Sequence, residues 1–159
     1  MISLAQQAIT QRVALLIGAL SVPDVIHWAD LHIEQSDVPH NSLIDISLGR
    51  FQPPTAIASC LTELASDAHD PKSINRAFGI LAERVRSHQL DVQTAIINCY
   101  RFLQEEKLLY TDDYMVFINL EDDVSLIRDG IFGPDKLTVL QSDFLEALDG
   151  LAANAENAG

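Results

Sequence analysis

An all-α fold, a single-domain bundle of about seven to nine helices, is what this chain predicts, and three observations predict it. Apolar residues recur near the 3.6-residue helical period almost throughout. Capping residues and Pro or Gly punctuation are frequent. Aromatics are few, with one Trp, three Tyr and six Phe, so Leu, Ile, Val and Ala must fill the core. A chain of 159 residues suits one domain and buries a core without staples. Its 48% hydrophobic content is too apolar for a disordered chain.

The first helix is predicted over Ser3 to Leu20, with Ile9, Val13, Leu16 and Leu20 on one face. Ser21 reads as an N-cap whose hydroxyl accepts from the Asp24 backbone N–H, with the Asp24 charge in the first turn, where the helix dipole favours it. That helix runs to about Gln35 and puts Val25, Trp28, Ala29, His32 and Ile33 on a common side. The stretch from Asp37 to Asn41 is a break, followed by a short helix from Ser42 to Leu48 closed by Gly49. Phe51 to Thr55 is a loop, because Pro53 and Pro54 remove donors and push Gln52 out of the helical region. Ala56 to Ala65 is helical again.

Asp70 and Pro71 start a helix, the Asp as N-cap and the Pro at the first helical position. It carries the stripe Ile74, Ala77, Phe78, Leu81 and Val85 and stops near His88. Asp91 caps the next, which buries Ala95, Ile96, Cys99, Phe102 and Leu103 and runs to about Leu109. The two form an antiparallel hairpin, a unit that fits a helical-repeat stack, although no repeat at a fixed period is visible. Thr111, Asp112 and Asp113 read as caps of the following segment. Tyr114 to Ile118 has a β-favouring composition and is compatible with a buried strand; helix is preferred, because no second strand is available to pair with it. Glu121 to Asp129 is helical and closes at Gly130, and a last helix starts at Gly133-Pro134-Asp135. Residues 1–151 are then one domain and 152–159 a flexible tail.

The net charge of −13 is uneven: residues 1–90 hold nine acids and six bases, residues 91–159 fourteen acids and four bases. Such a field repels phosphate backbones and anionic membrane surfaces, which speaks against nucleic acid and membrane as ligands; it is compatible with a basic protein partner or bound cations, or serves solubility alone. The densest cluster is Asp112, Asp113, Glu121, Asp122 and Asp123. A calcium loop is excluded there, because Tyr114 to Ile118 is apolar and lacks the central Gly. The cluster is either helix-start charge or a partner-binding patch.

His27, Asp30 and Glu34 share one face of the second helix and could ligate a divalent metal, but no paired E-x-x-H completes the set. The plainer reading is a polar outer face. Cys60 and Cys99 have apolar flanks, which raises a thiol pKa and argues against a reactive thiolate or a disulfide framework. Arg84, Arg86 and His88 read as a solvated helix end. Ile44 to Leu48 is a short amphipathic helix under the Pro53-Pro54 loop or an exposed contact surface. No G-x-S-x-G, G-x-G-x-x-G or P-loop is present, so neither a catalytic site nor a cofactor is expected. The first residues lack a basic n-region, and the apolar run from Val13 to Leu20 is too short to cross a bilayer, so the cytoplasm is the expected compartment.

The run from Ser21 to Asp30 (SVPDVIHWAD), with Pro39, Leu43 to Leu48 (LIDISL) and Ile127 to Ile131 (IRDGI), resembles small helical bacterial proteins grouped with immunity proteins of contact-dependent and other polymorphic toxin systems. The resemblance implies an acidic cytoplasmic protein that binds and neutralises one cognate toxin, often a basic nuclease. Asp112, Asp113, Glu121, Asp122 and Asp123 are the residues expected to meet a basic partner. The alternatives are an oligomeric helical scaffold and a metal-dependent helical enzyme using His27, Asp30 and Glu34.

Overall fold

The computed structural model describes residues 1–65 and 70–157, which are helical with no strand among them. Eight helices follow in order: α1 (Leu4–Leu16), α2 (Val22–Glu34), α3 (Asn41–Ser47), α4 (Pro54–Ala65), α5 (Pro71–Arg86), α6 (Val92–Glu105), α7 (Val116–Arg128) and α8 (Asp135–Asn157). They fall into two compact units, Met1–Ala77 and Phe78–Gly159, and the division lies within α5.

In the first unit α1 lies along α4, α2 packs on α3, and α3 on α4. Helix α1 starts with a capping box: the Gln6 N–H donates to Ser3 Oγ at 3.1 Å and the Ser3 N–H to Gln6 Oε1 at 2.9 Å. It stops at Leu16, four residues before the predicted end. Gly18 adopts φ 81 there, so the Gly18 N–H reaches the Leu15 carbonyl and the Ala19 N–H reaches back to that of Ala14 at 2.8 Å. This left-handed closure ends the helix although the apolar period runs on. Ile17 and Ala19, beyond the helix, are still buried. Ser21 caps α2 as predicted, accepting from the Asp24 N–H at 3.3 Å. The α4 helix begins at Pro54 rather than Ala56, because a Pro at the first position gives up no helical hydrogen bond. Asp70 caps α5 by accepting from the Lys72 N–H at 3.2 Å and from Ser73 Oγ at 2.7 Å. Gln6 Nε2 of α1 donates to the same carboxylate at 3.2 Å, and Thr10 Oγ1 to the Ser73 carbonyl at 2.9 Å. The core is aliphatic, with Ile17, Leu43, Ile46, Ile57 and Leu61 at 2% exposure or less.

In the second unit α6 packs on α7 and α7 on α8. Helix α5 meets α8 where a Cβ added at Gly79 lies 3.1 Å from Ala152 Cβ, and where Arg86 pairs with Asp149. The helices are therefore wired as in the first unit: first on fourth, second on third, third on fourth. The core is aromatic. Phe78 stacks on Phe117 with centroids 5.6 Å apart, Tyr114 tilts onto Phe78 at 5.8 Å, and Phe144 meets Phe117 edge-on at 6.2 Å.

Three predicted elements change here. Helix α6 ends at Glu105 rather than Leu109, because Lys107 takes φ 61 and the Leu108 N–H closes on the Leu103 carbonyl at 2.8 Å. The preference for helix over strand at residues 114–118 holds from Val116 on, and the change is that α7 runs unbroken from there through Glu121 to Arg128 rather than starting at Glu121. Thr111, Asp112 and Asp113 do not cap it: the N-cap is Met115, with no side-chain hydrogen bond. At the C-terminus α8 continues past Leu151 to Asn157 and buries Ala155. Of the predicted tail, Ala158 and Gly159 lie outside the described residues.

The two units share more than wiring. The α1–α2 and α5–α6 connections both turn through a left-handed residue, Gly18 or His88, then a Leu, Leu20 or Leu90, then a capping Ser21 or Asp91. The third connections carry the same pattern, Gly49-Arg50-Phe51-Gln52-Pro53 and Gly130-Ile131-Phe132-Gly133-Pro134. A basic side chain lies over each phenylalanine, Arg50 at 5.4 Å from the Phe51 centroid and Lys136 at 5.1 Å from that of Phe132. No fixed period reveals this, because α7 has 13 residues where α3 has 7, and the connection before it is longer.

Candidate functional site

The five predicted partner-binding acids lie in the second unit around α7. Phe117, Leu120 and Val124 are its buried stripe. At 100° per residue Asp122 stands opposite that stripe, with Glu121 and Asp123 on its two flanks. Asp122 is accordingly exposed and the flanking pair half-buried, while Asp112 and Asp113 are exposed in the turns just before the helix. The acids thus wrap the outer half of one helix and its approach rather than converging on a point. Glu121 Oε1 accepts from Ser125 Oγ at 3.2 Å. Among the described residues none of the five is in an ion pair with Lys or Arg.

The face holding His27, Asp30 and Glu34 is divided by its contacts. His27 and Glu34 are exposed, whereas Asp30 accepts from Ser47 Oγ and so ties α2 to α3. Among the described residues no group of three or more His, Cys, Asp or Glu side chains could hold a metal ion. The inner side of α2 is fastened to α1 through Gln7. Trp28 Nε1 donates to Gln7 Oε1 at 3.2 Å, and His32 Nε2 is 2.9 Å from the same atom. An indole nitrogen only donates, which makes that Gln7 atom the oxygen, so His32 Nε2 must carry a proton.

Neither thiol is poised as a nucleophile. Cys99 is fully buried on α6, and burial pushes its thiol well up. Cys60 on α4 is half-buried; burial raises it first, and the charges of Asp45 and Glu63 raise it further.

Sequence reasoning left unresolved the place where α3 turns into α4. Leu43 and Ile46 face the core, while Leu48 is 79% and Phe51 91% exposed. Beside them opens a cavity of about 320 Å³ lined by Asp45, Leu48, Gln52, Ala56, Ile57 and Cys60. Gly49 holds this corner tight: a Cβ there meets Ile57 Cδ1 at 2.5 Å, so the absent side chain lets Ile57 close the wall. The signal available beforehand was the apolar pair Leu48 and Phe51 around a Gly. A second cavity, about 330 Å³, lies in the other unit between Val85, His88, Leu90 and Asp91 on one side and Leu137 and Gln141 on the other. Its carboxylate is already engaged, since Asp91 Oδ2 accepts from the Thr94 N–H at 3.1 Å to cap α6.

No family model matches the chain, and comparison with curated proteins and with solved structures finds no match. No helix among the described residues is long and apolar enough to cross a membrane.

Proposed function

We propose that the chain is a non-enzymatic protein-binding module for a basic protein partner, of the immunity type that neutralises a toxin. The observation that carries this reading is the set of carboxylates Asp112, Asp113, Glu121, Asp122 and Asp123 around the outer half of α7, none paired with a base among the described residues. Like charges gathered on one side of a helix repel one another, and a partner bringing Lys or Arg side chains relieves that repulsion. The same field steers a basic protein into encounter and raises its association rate at low salt. A tagged copy in host lysate is expected to retain a basic protein that leaves as salt rises. The variant with all five acids changed to Lys is expected to lose it. Retention indifferent to that reversal defeats the reading, and the immunity assignment further requires that co-expression protect cells from the retained protein.

The duplicated four-helix wiring supports a second reading, an oligomeric scaffold assembled from helical repeats. It requires concentration-dependent assembly, which light scattering measures, and a monomer at all concentrations removes it.

A further inference from the structure

The third connection of each unit carries G-x-F-x-P, yet the two phenylalanines are treated differently. Phe132 is half-buried beside Lys136, whereas Phe51 stands almost wholly in water, as does Leu48 three residues before it. The loop pattern is therefore compatible with a covered ring, and the exposure of Phe51 is particular to the first unit. Beside it the cavity between α3 and α4 has apolar walls in Leu48, Ala56 and Ile57 and one charged group, the Asp45 carboxylate. Glu63, whose charge with that of Asp45 reaches Cys60 in the wall, adds a second negative field, although its Oε2 already accepts from Ser42 Oγ at 3.0 Å. Arg50, which follows Gly49 in the chain, lies over the Phe51 ring and does not line the cavity. At about 320 Å³ the space is at the small end of ligand pockets, roughly 300–1,000 Å³.

The geometry points to this corner as the docking site for an arginine or lysine side chain of a protein partner, its aliphatic stem along Leu48, Ala56 and Ile57, its charged head at Asp45, and an apolar neighbour on Phe51. Charge complementarity selects the cation, and the two exposed apolar side chains beyond the cavity select a peptide chain over a free amine. Anchors that bury apolar surface around a charged head concentrate binding energy in few residues. The inference rests on the reading of a basic partner and moves the anchoring contact from α7, whose acids act at long range, to the first unit.

The test is a titration of the full ¹⁵N-labelled chain, followed by NMR, with acetyl-Leu-Arg-Leu-amide, with hexylammonium and with hexanoate. The peptide is expected to give saturable shifts at the amides of Gly49, Gln52, Ile57 and Cys60, and hexanoate none. D45N is expected to weaken the peptide about fivefold, the scale of one partly exposed ion pair. F51S is expected to weaken the peptide and leave hexylammonium unaffected; both variants sit at exposed positions, and an unchanged unfolding midpoint verifies their folding. Absent or unsaturable shifts at the corner, shifts centred on residues 112–123, equal binding of hexanoate, or hexylammonium as tight as the peptide each overturn the assignment. Failure here with capture still lost on reversing the α7 acids leaves the basic-partner reading standing. Success here with capture indifferent to that reversal defeats only the reading that rests on α7.

Discussion

The two units are wired alike and filled differently. In Met1–Ala77 the first helix lies along the fourth through aliphatic residues, with Ile17, Leu43, Ile46, Ile57 and Leu61 fully or almost fully buried. In Phe78–Gly159 the same succession of helices closes over Phe78, Tyr114, Phe117 and Phe144, and five of the six phenylalanines fall there. Turn geometry and connection order, set by caps and left-handed residues, thus leave the choice of core side chains open. Cores tolerate different apolar fillings provided volume and patterning are kept. Charge is separate from architecture too, since most of the negative charge sits toward the C-terminal end while the wiring does not change.

The largest expected effect breaks the aromatic core. Phe117 is fully buried and touches two other rings, so Phe117→Ala is expected to lower stability by about 3–5 kcal/mol in denaturant unfolding. Trp28, the single tryptophan, lies in the first unit, and its fluorescence shows whether that unit follows. Coincident fluorescence and circular-dichroism transitions mean one cooperative fold, and separated ones mean two.

Next come the paired glycines of the third connections, equivalent by position and different by cause. Gly49 is required by space and Gly130 by its φ of 74, with nothing within 4 Å of an added Cβ. Gly49→Ala is expected to cost about 1–3 kcal/mol, and Ile57→Val, which removes Cδ1, should recover part of that loss. Gly130→Ala is expected to cost about 1–2 kcal/mol. Because no side chain crowds that position, its cost is backbone strain that trimming a neighbour does not relieve. Equal rescue at both sites argues against this distinction.

Alkaline pH tests Tyr114 of the second unit. The Tyr114 phenol is pushed up to about 12, first by burial and then by the Asp113 charge. Its unfolded value is about 10. Below that pH both states hold the proton and the contribution is complete. From there to about 12 the unfolded chain releases the proton and the folded one keeps it, so stability falls as pH rises. With solvent screening of the Asp113 part, a loss on the order of 1–2 kcal/mol is expected. Tyr114→Phe should flatten the slope in an unfolding series across that window.

The smallest effect concerns the left-handed residues that end the helices. Gly18 holds the left-handed closure of α1, whereas α5 and α6 close the same way with His88 at φ 59 and Lys107 at φ 61. A side chain there is strained, so His88→Gly and Lys107→Gly should each raise the unfolding free energy, by up to about 1 kcal/mol. Gly18→Ala should lower it by a similar amount.

Much of the fold was legible residue by residue. The caps at Ser21 and Asp91, the Asp70-Pro71 start and the buried stripe on α5 all follow from short-range chemistry. The errors share a cause. Val13 to Leu20 keeps an apolar period past Gly18, because Ile17 and Ala19 are buried although they lie beyond the helix. Likewise the stop of α6 at Lys107 has no glycine to announce it. Of the candidate sites, the acids of α7 were visible as composition, while the cavity beside Leu48 and Phe51 was not, since Asp45 and Cys60 meet there only when α3 folds onto α4.

That the chain is helical, where most helices begin and which faces turn inward follow from caps, proline and periodicity, which act within a few residues. Which helices pair, why Gly49 must lack a side chain, and the separation of Asp30 from His27 and Glu34 emerge when the helices pack. Those outcomes depend on distances between residues far apart in the chain, and no local pattern encodes them.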